Sequence, residues 1–164
     1  MIGAWLELRR LAVIGSALVG AALVTAAPAS AGEALQVENA WVPWAPPGLK
    51  VHVAYMTIVN RGATDQIIVS VESTDYERIE LHRSVIKDGV STMEAIGEVK
   101  VPANGRIEFV PTGLHFMLIG PRRPQAVDGH VQIVLRLSSG EEVDVSAVVR
   151  RRDDAGHGGA HSHH

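Results

Sequence analysis

Beyond residue 34 the chain alternates apolar and polar positions in short runs, each cut by glycine, proline, asparagine or aspartate. A period of two is the pattern of half-buried strands, and no segment there sustains the 3.6-residue period of a helix. Residues 35–42 predict a first strand. Pro46 and Pro47 end any continuation of it, because proline has no ladder donor. Residues 51–60 form the longest run. Val53, Tyr55, Thr57 and Val59 point one way and Ala54, Met56 and Ile58 the other, and two apolar faces predict a central strand. After Asn60-Arg61-Gly62, Ile67, Val69 and Val71 mark a further strand. In residues 78–84, Ile79 and Leu81 oppose Glu80 and His82. Asp88-Gly89 is a hairpin signal, and residues 90–95 return from it. Further strands are predicted at 106–110, 114–119, 131–137 and 142–149, the last two joined through Ser138-Ser139-Gly140. About nine short strands predict an all-β domain of two packed sheets.

The ends of the chain read differently. Arg9 and Arg10 precede an apolar run over 11–27, and Ala29-Ser30-Ala31 follows as an A-x-A cleavage site. Residues 1–31 are therefore expected to be a secretory signal peptide, cleaved after Ala31, too short in its apolar core for a membrane span. The arginine pair leaves Sec and twin-arginine export both open. No cysteine stands at the cleavage site, so no lipid anchor is expected to remain. Residues 32–150 are expected to be one domain. Residues 151–164 lose the apolar pattern and finish in Gly, Ala, Ser and four histidines, a composition expected to stay disordered.

Composition removes several functions. The formal charge is −3, and −4 once the signal peptide is gone, which offers no basic surface to nucleic acid. The sequence holds no cysteine, which excludes a disulfide framework, a zinc–thiolate site and thiol chemistry. A blue-copper electron-transfer site needs a Cys thiolate and is excluded with them. No Ser-His-Asp arrangement can be placed from spacing, and the three-ligand pattern of catalytic zinc is missing, so an enzyme is not expected.

What remains is a set of soft donors: His82, Met93, His115 and Met117. His115 and Met117 stand at i and i+2, so they leave the same face of one strand. His82 and Met93 flank the predicted hairpin. A two-residue loop at Lys87-Asp88 places them directly opposite; one at Asp88-Gly89 places Ser84 opposite Met93 and makes His82 its diagonal neighbour. Both registers give a shared face, and a three-residue loop with a bulge would not. Each donor alone reads as core filler or as an ordinary strand histidine. Together they are two local His–Met pairs, and two of the three methionines beyond Met1 belong to them. Neutral nitrogen and thioether donors suit Cu(I), and no carboxylate stands at these positions to favour calcium, magnesium or manganese.

This spacing, H-x10-M-x21-H-x-M, resembles the motif of the periplasmic copper chaperones of the PCu(A)C family. The surroundings are similar too: Trp41 with Pro46-Pro47-Gly48, Ala54-Tyr55-Met56-Thr57 with Asn60-Arg61-Gly62, Glu80-Leu81-His82, Asp88-Gly89-Val90, and residues 113–120. The resemblance covers about residues 35–149. It implies a cupredoxin-like Greek-key β-sandwich that binds one Cu(I) through His82, Met93, His115 and Met117 at an exposed edge. It implies delivery to an acceptor such as the dinuclear copper domain of cytochrome oxidase, beside a second, thiol-bearing chaperone; the chain itself is expected to be a monomer. Many members carry a methionine two residues after the first histidine, where this chain has Ser84. A copper buffer without an acceptor and a metal-free interaction module are the rival readings.

The remaining histidines carry less. His157, His161, His163 and His164 are expected to offer an auxiliary Cu(II) site or to form a solubilising tail. His52 and Met56 share a face and read as core or sheet-surface residues. His130 reads as exposed, and Trp41 and Trp44 as packing or edge aromatics.

Overall fold

A computed structural model describes residues 34–153. The signal peptide expected at 1–31 and the tail histidines lie outside the described residues. Ten strands follow in chain order: β1 (Leu35–Pro43), β2 (Val51–Asn60), β3 (Gln66–Glu72), β4 (Tyr76–Lys87), β5 (Val90–Ile96), β6 (Val99–Val101), β7 (Arg106–Phe109), β8 (Leu114–Pro121), β9 (His130–Leu137) and β10 (Glu142–Arg150). The expected count of about nine lacked β6, whose three residues are too few to display a period.

The strands hydrogen-bond in the order β5-β4-β8-β7-β2-β1-β10-β9-β3-β6, with β8 also pairing β2 directly. Two packed sheets were expected, and a single ladder runs through both without a break. β1 is the reason. Its first part pairs antiparallel with β2 and its last three residues pair parallel with β10. The register shifts between Glu38 and Trp41, and Asn39 there takes φ of 53°. A bulge of this kind bends a strand and lets it change partners at a sandwich corner.

Both halves bury one face in a common core. Phe116 and Phe109 are fully enclosed and stack at 4.2 Å, with Ile58, Leu118, Ile133 and Leu135 around them. β2 is central, as its two apolar faces predict, and pairs with β1, β7 and β8. In β3 the alternation Ile67, Val69, Val71 does not mark the inner face. A register shift between Ile68 and Ser70 turns Ile68 and Val71 inward and leaves Val69 exposed. Asn60 closes its turn by donating to the carbonyls of Thr64 and Val101 and accepting from the Gly62 N–H.

Candidate metal centre

β4 is the longest strand of the domain and lies between β5 and β8. Its hairpin with β5 pairs Lys87 with Val90, so the loop is Asp88-Gly89. Both residues have positive φ, 52° and 77°, the geometry of a type I′ turn that matches the twist of the strands it joins. Of the two registers open to the sequence, this is the second: Ser84 faces Met93, and His82 faces Ala95. His82 and Met93 are diagonal neighbours on one face.

On its other side β4 pairs with β8, where His82 stands directly opposite His115 and Glu80 opposite Met117. His82 is thus the hub of the set. His115 faces it across one edge of its strand, and Met117 and Met93 lie diagonal to it on either side. Diagonal positions are about 7–8 Å apart, within reach of long side chains. The imidazoles of His82 and His115 have centroids 5.9 Å apart and are tilted by 36°. All four donors therefore share one face over three adjacent strands.

Each imidazole is held by one nitrogen. His82 Nε2 is 3.0 Å from Glu80 Oε2, and the carboxylate accepts its N–H. His115 Nδ1 donates to the Gly113 carbonyl at 3.2 Å. The same carbonyl accepts the Ser84 N–H at 3.0 Å, so it joins β4 to the start of β8 while it orients His115. The opposite nitrogens, His82 Nδ1 and His115 Nε2, are the buried side-chain polar atoms without a partner among the described residues. Buried polar groups are rarely left so, and a histidine held through one nitrogen with a free lone pair on the other is able to take up a metal. The Glu80 carboxyl is held below its ordinary pKa, chiefly by the bond to His82 and then by Arg78.

Exposure grades the donors. His115 is buried, His82 and Met117 are half-buried, and Met93 is 61% exposed on the edge strand. Ile86 and Val90 at the hairpin tip are exposed as well. On the far side of Met117 stands Val53, followed on the same face by Tyr55, whose ring lies 5.2 Å from that of Trp41. Ser84, in place of the methionine many PCu(A)C members carry, lies on the same face beside Met93. No group of three or more His, Cys, Asp or Glu side chains able to hold a metal occurs among the described residues.

Sequence reasoning did not single out Glu80 or Gly113. Glu80 stands two residues before His82, so strand periodicity alone puts it on the same face. Gly113 lies in a stretch that resembles the family, but its role left no signal, because it depends on β8 lying beside β4. His52 is buried, with Nδ1 2.8 Å from the Tyr76 hydroxyl, and burial pushes its pKa down. His130 is exposed and bonds Ser146 Oγ at 3.0 Å. Trp44 lies at the surface under the Arg151 guanidinium.

A family model described as "LpqE-like: Putative lipoprotein LpqE-like" matches residues 35–149. The chain is 31% identical over 124 residues to "Putative lipoprotein Lxx21020" of Leifsonia xyli subsp. xyli (strain CTCB07), covering 75% of this chain and 74% of that protein. Among solved structures it is similar to the copper-bound PCuAC domain from PmoF2, with TM-score 0.61, 19% identity, and coverage of 72% of this chain and 93% of that one. It is also similar to apo-DR1885 from Deinococcus radiodurans, with TM-score 0.58, 24% identity and coverage of 90% and 97%. For the CuI form of DR1885 the TM-score is 0.58 and the identity 27%, over 71% and 77% of the two chains. The fold is the all-β, cupredoxin-like fold of those domains.

Proposed function

We propose, for a chain that belongs to the LpqE-like family, that it is an extracytoplasmic copper chaperone whose Cu(I) ligands are His82, Met93, His115 and Met117. One observation carries this reading: the two buried imidazole nitrogens without partners sit on facing residues, each ring held from behind by an acceptor. The likeness to copper-bound PCuAC domains supports it.

Two neutral nitrogens and two thioethers suit a soft monovalent ion and leave its charge uncompensated, which favours Cu(I) over harder divalent ions. The graded exposure suits transfer. Met93, on the solvent side, is the donor an incoming ligand displaces first. Buried His115 holds on longest, so the ion passes between proteins without being released to water. We assign no catalysis to the site. The acceptor is a copper protein of the dinuclear cytochrome oxidase type, with a second, thiol-bearing chaperone as an alternative partner. The tail histidines are assigned auxiliary Cu(II) binding, and the working form is a monomer. The lipoprotein name of the family and the expected signal peptide both support a place outside the cytoplasm, although the 164 residues contain no cysteine to carry a lipid.

Competition with a chromophoric Cu(I) chelator under reducing conditions tests the ligand set. Met93→Ala and Met117→Ala should each weaken binding by more than the ~10–100-fold that losing an outer-shell partner costs. Unchanged affinity in either variant removes that residue from the site. Incubation of the loaded protein with an oxidase copper domain then separates chaperone from buffer: a domain that stays empty favours the buffer.

A further inference from the structure

Where β2 begins and β8 finishes, two proline-braced loops enclose a recess of about 150 Å³. One wall is residues 45–50. Pro47 and Gly48 are the central pair of a turn in which the Leu49 N–H reaches back to the Pro46 carbonyl at 3.5 Å. Gly48 takes φ of 98°, as the second central residue of a type II turn requires. The other wall is residues 121–125, stiffened by Pro121 and Pro124. The Gly120 N–H donates to the Lys50 carbonyl at 2.9 Å and ties the two walls together. The recess is separate from the proposed copper ligands. His52, which lines it, stands opposite buried Leu118 on the inner side of the sheet, whereas Met117 leaves the outer side.

Polar groups converge there. His52 and Gln125 both line the recess and are both more than nine-tenths buried. The Tyr76 hydroxyl is 2.8 Å from His52 Nδ1, and the Tyr76 carbonyl accepts from Arg122 Nε at 3.2 Å, so one enclosed residue positions both. His52 Nε2 has no partner among the described residues, and it is not sealed in the core as the free nitrogens of His82 and His115 are. Gln125 Nε2 donates to the Arg123 carbonyl at 3.2 Å. The charge is one-sided: Lys50, Arg122 and Arg123 line the recess and no carboxylate does. Arg123 is already committed to Asp75, at 2.7 and 3.0 Å, and the second oxygen of Asp75 takes the Gln132 N–H. Glu77 packs its carboxyl over Gly120, outside the lining. Lys50 and Arg122 have no carboxylate partner among the described residues.

We propose that this recess binds one phosphate-type oxyanion, held by the Arg122 guanidinium, the Lys50 ammonium and the His52 Nε2–H. Drug-sized ligands occupy about 300 Å³ or more, so the space suits a single small group. Arginine presents a planar fork of donors to two oxygens, and lysine adds a point charge. Burial pushes the His52 pKa down, so near neutral pH the ring contributes a hydrogen bond rather than a charge. The Tyr76 hydroxyl then donates to Nδ1 and the ring proton stays on Nε2, facing the oxyanion. The prolines fix the walls in advance, so little ordering is lost on binding. Free phosphate and the phosphate of a lipid headgroup share this chemistry. Leu49 and Val51, exposed beside the recess, would enter the interface in the second case.

The test follows the amide and imidazole nitrogen signals of the nitrogen-labelled chain, without copper, as inorganic phosphate is added near neutral pH at constant ionic strength. Potassium chloride is the reference titrant. Saturable shifts at Gly48, Gln125 and His52 are expected, with Nε2 as the protonated ring nitrogen. Arg122→Gln should weaken phosphate binding by about 10-fold or more, the worth of one hydrogen bond to a charged group. Lys50→Gln, which keeps the backbone bond to Gly120, should weaken it by about 2–5-fold. Sedimentation with phosphatidylglycerol vesicles, against phosphatidylcholine vesicles, identifies the source. Selective binding to the first, weakened in Arg122→Gln and reversed by free phosphate, places the oxyanion on a lipid. Saturable phosphate shifts without sedimentation make it the free ion. Shifts that potassium chloride reproduces overturn the proposal, as does wild-type phosphate affinity in both variants. So does a chain that responds to neither phosphate nor vesicles.

Discussion

Removing Glu80 should weaken copper binding without unfolding the protein. Its carboxylate lies 3.0 Å from His82 Nε2 and fixes which nitrogen carries the proton, leaving Nδ1 as the donor. His82 is the residue to which the other three proposed ligands are direct or diagonal neighbours, so a loosened ring should disturb the whole set. Outer-shell partners of metal-ligating histidines are worth about 10–100-fold in affinity, and Glu80→Ala should cost that much. Glu80→Gln keeps an oxygen acceptor but loses its charge. Charge-assisted bonds are about twice as strong as neutral ones, so roughly half the logarithmic loss, about 3–10-fold, is expected. Arg78 bonds the other carboxylate oxygen at 2.8 Å from an exposed position, and Arg78→Ala should change affinity by about 2-fold or less because the bond to His82 survives. The assay is anaerobic Cu(I) competition near neutral pH, well above the carboxylate range, where Glu80 is ionised. Thermal unfolding of each apo variant serves as the control. A folded Glu80→Ala chain with wild-type affinity would refute the idea that this carboxylate orients the site.

Other perturbations reach the scaffold. Phe116 is fully buried between two proposed ligands and stacks on Phe109, so Phe116→Ala should cost about 3–5 kcal/mol in urea unfolding. Ser84 faces Met93 on the face of the proposed copper site, so Ser84→Met adds a thioether within reach and should raise Cu(I) affinity in the same competition assay. Burial lowers the pKa of His52 below 6.5, so as pH falls the unfolded chain takes up the proton first. Its contribution to stability is complete above about 6.5 and declines from there down to the folded pKa. The urea midpoint should therefore drop between about pH 7.5 and about pH 5.5, and His52→Gln should remove part of that drop.

Local periodicity carried far in this chain. Strand alternation identified β2 as central and set Glu80 and His82 opposite Ile79 and Leu81. It also made His115 and Met117 one pair, because i and i+2 share a face whatever a strand pairs with. Asp88-Gly89 announced the hairpin, since few other dipeptides accept positive φ twice in succession. β6 was too short to read, and in β3 the alternation misled. The bulge between Ile68 and Ser70 shifts the register, and a bulge is set by what the partner strand demands rather than by local sequence.

The amino-acid order by itself determined the donor types, their two local pairings and the absence of thiolate chemistry, all properties of neighbouring residues or of composition. Only the tertiary structure decided that the pairs meet. β4 and β8 are separated by β5, β6 and β7 in the chain, and no local signal says that His82 will stand opposite His115. That register follows from the burial of Leu81 and Phe116 in the common core, which leaves the alternate residues no face but the outer one. It also decided that Gly113 presents its carbonyl to His115.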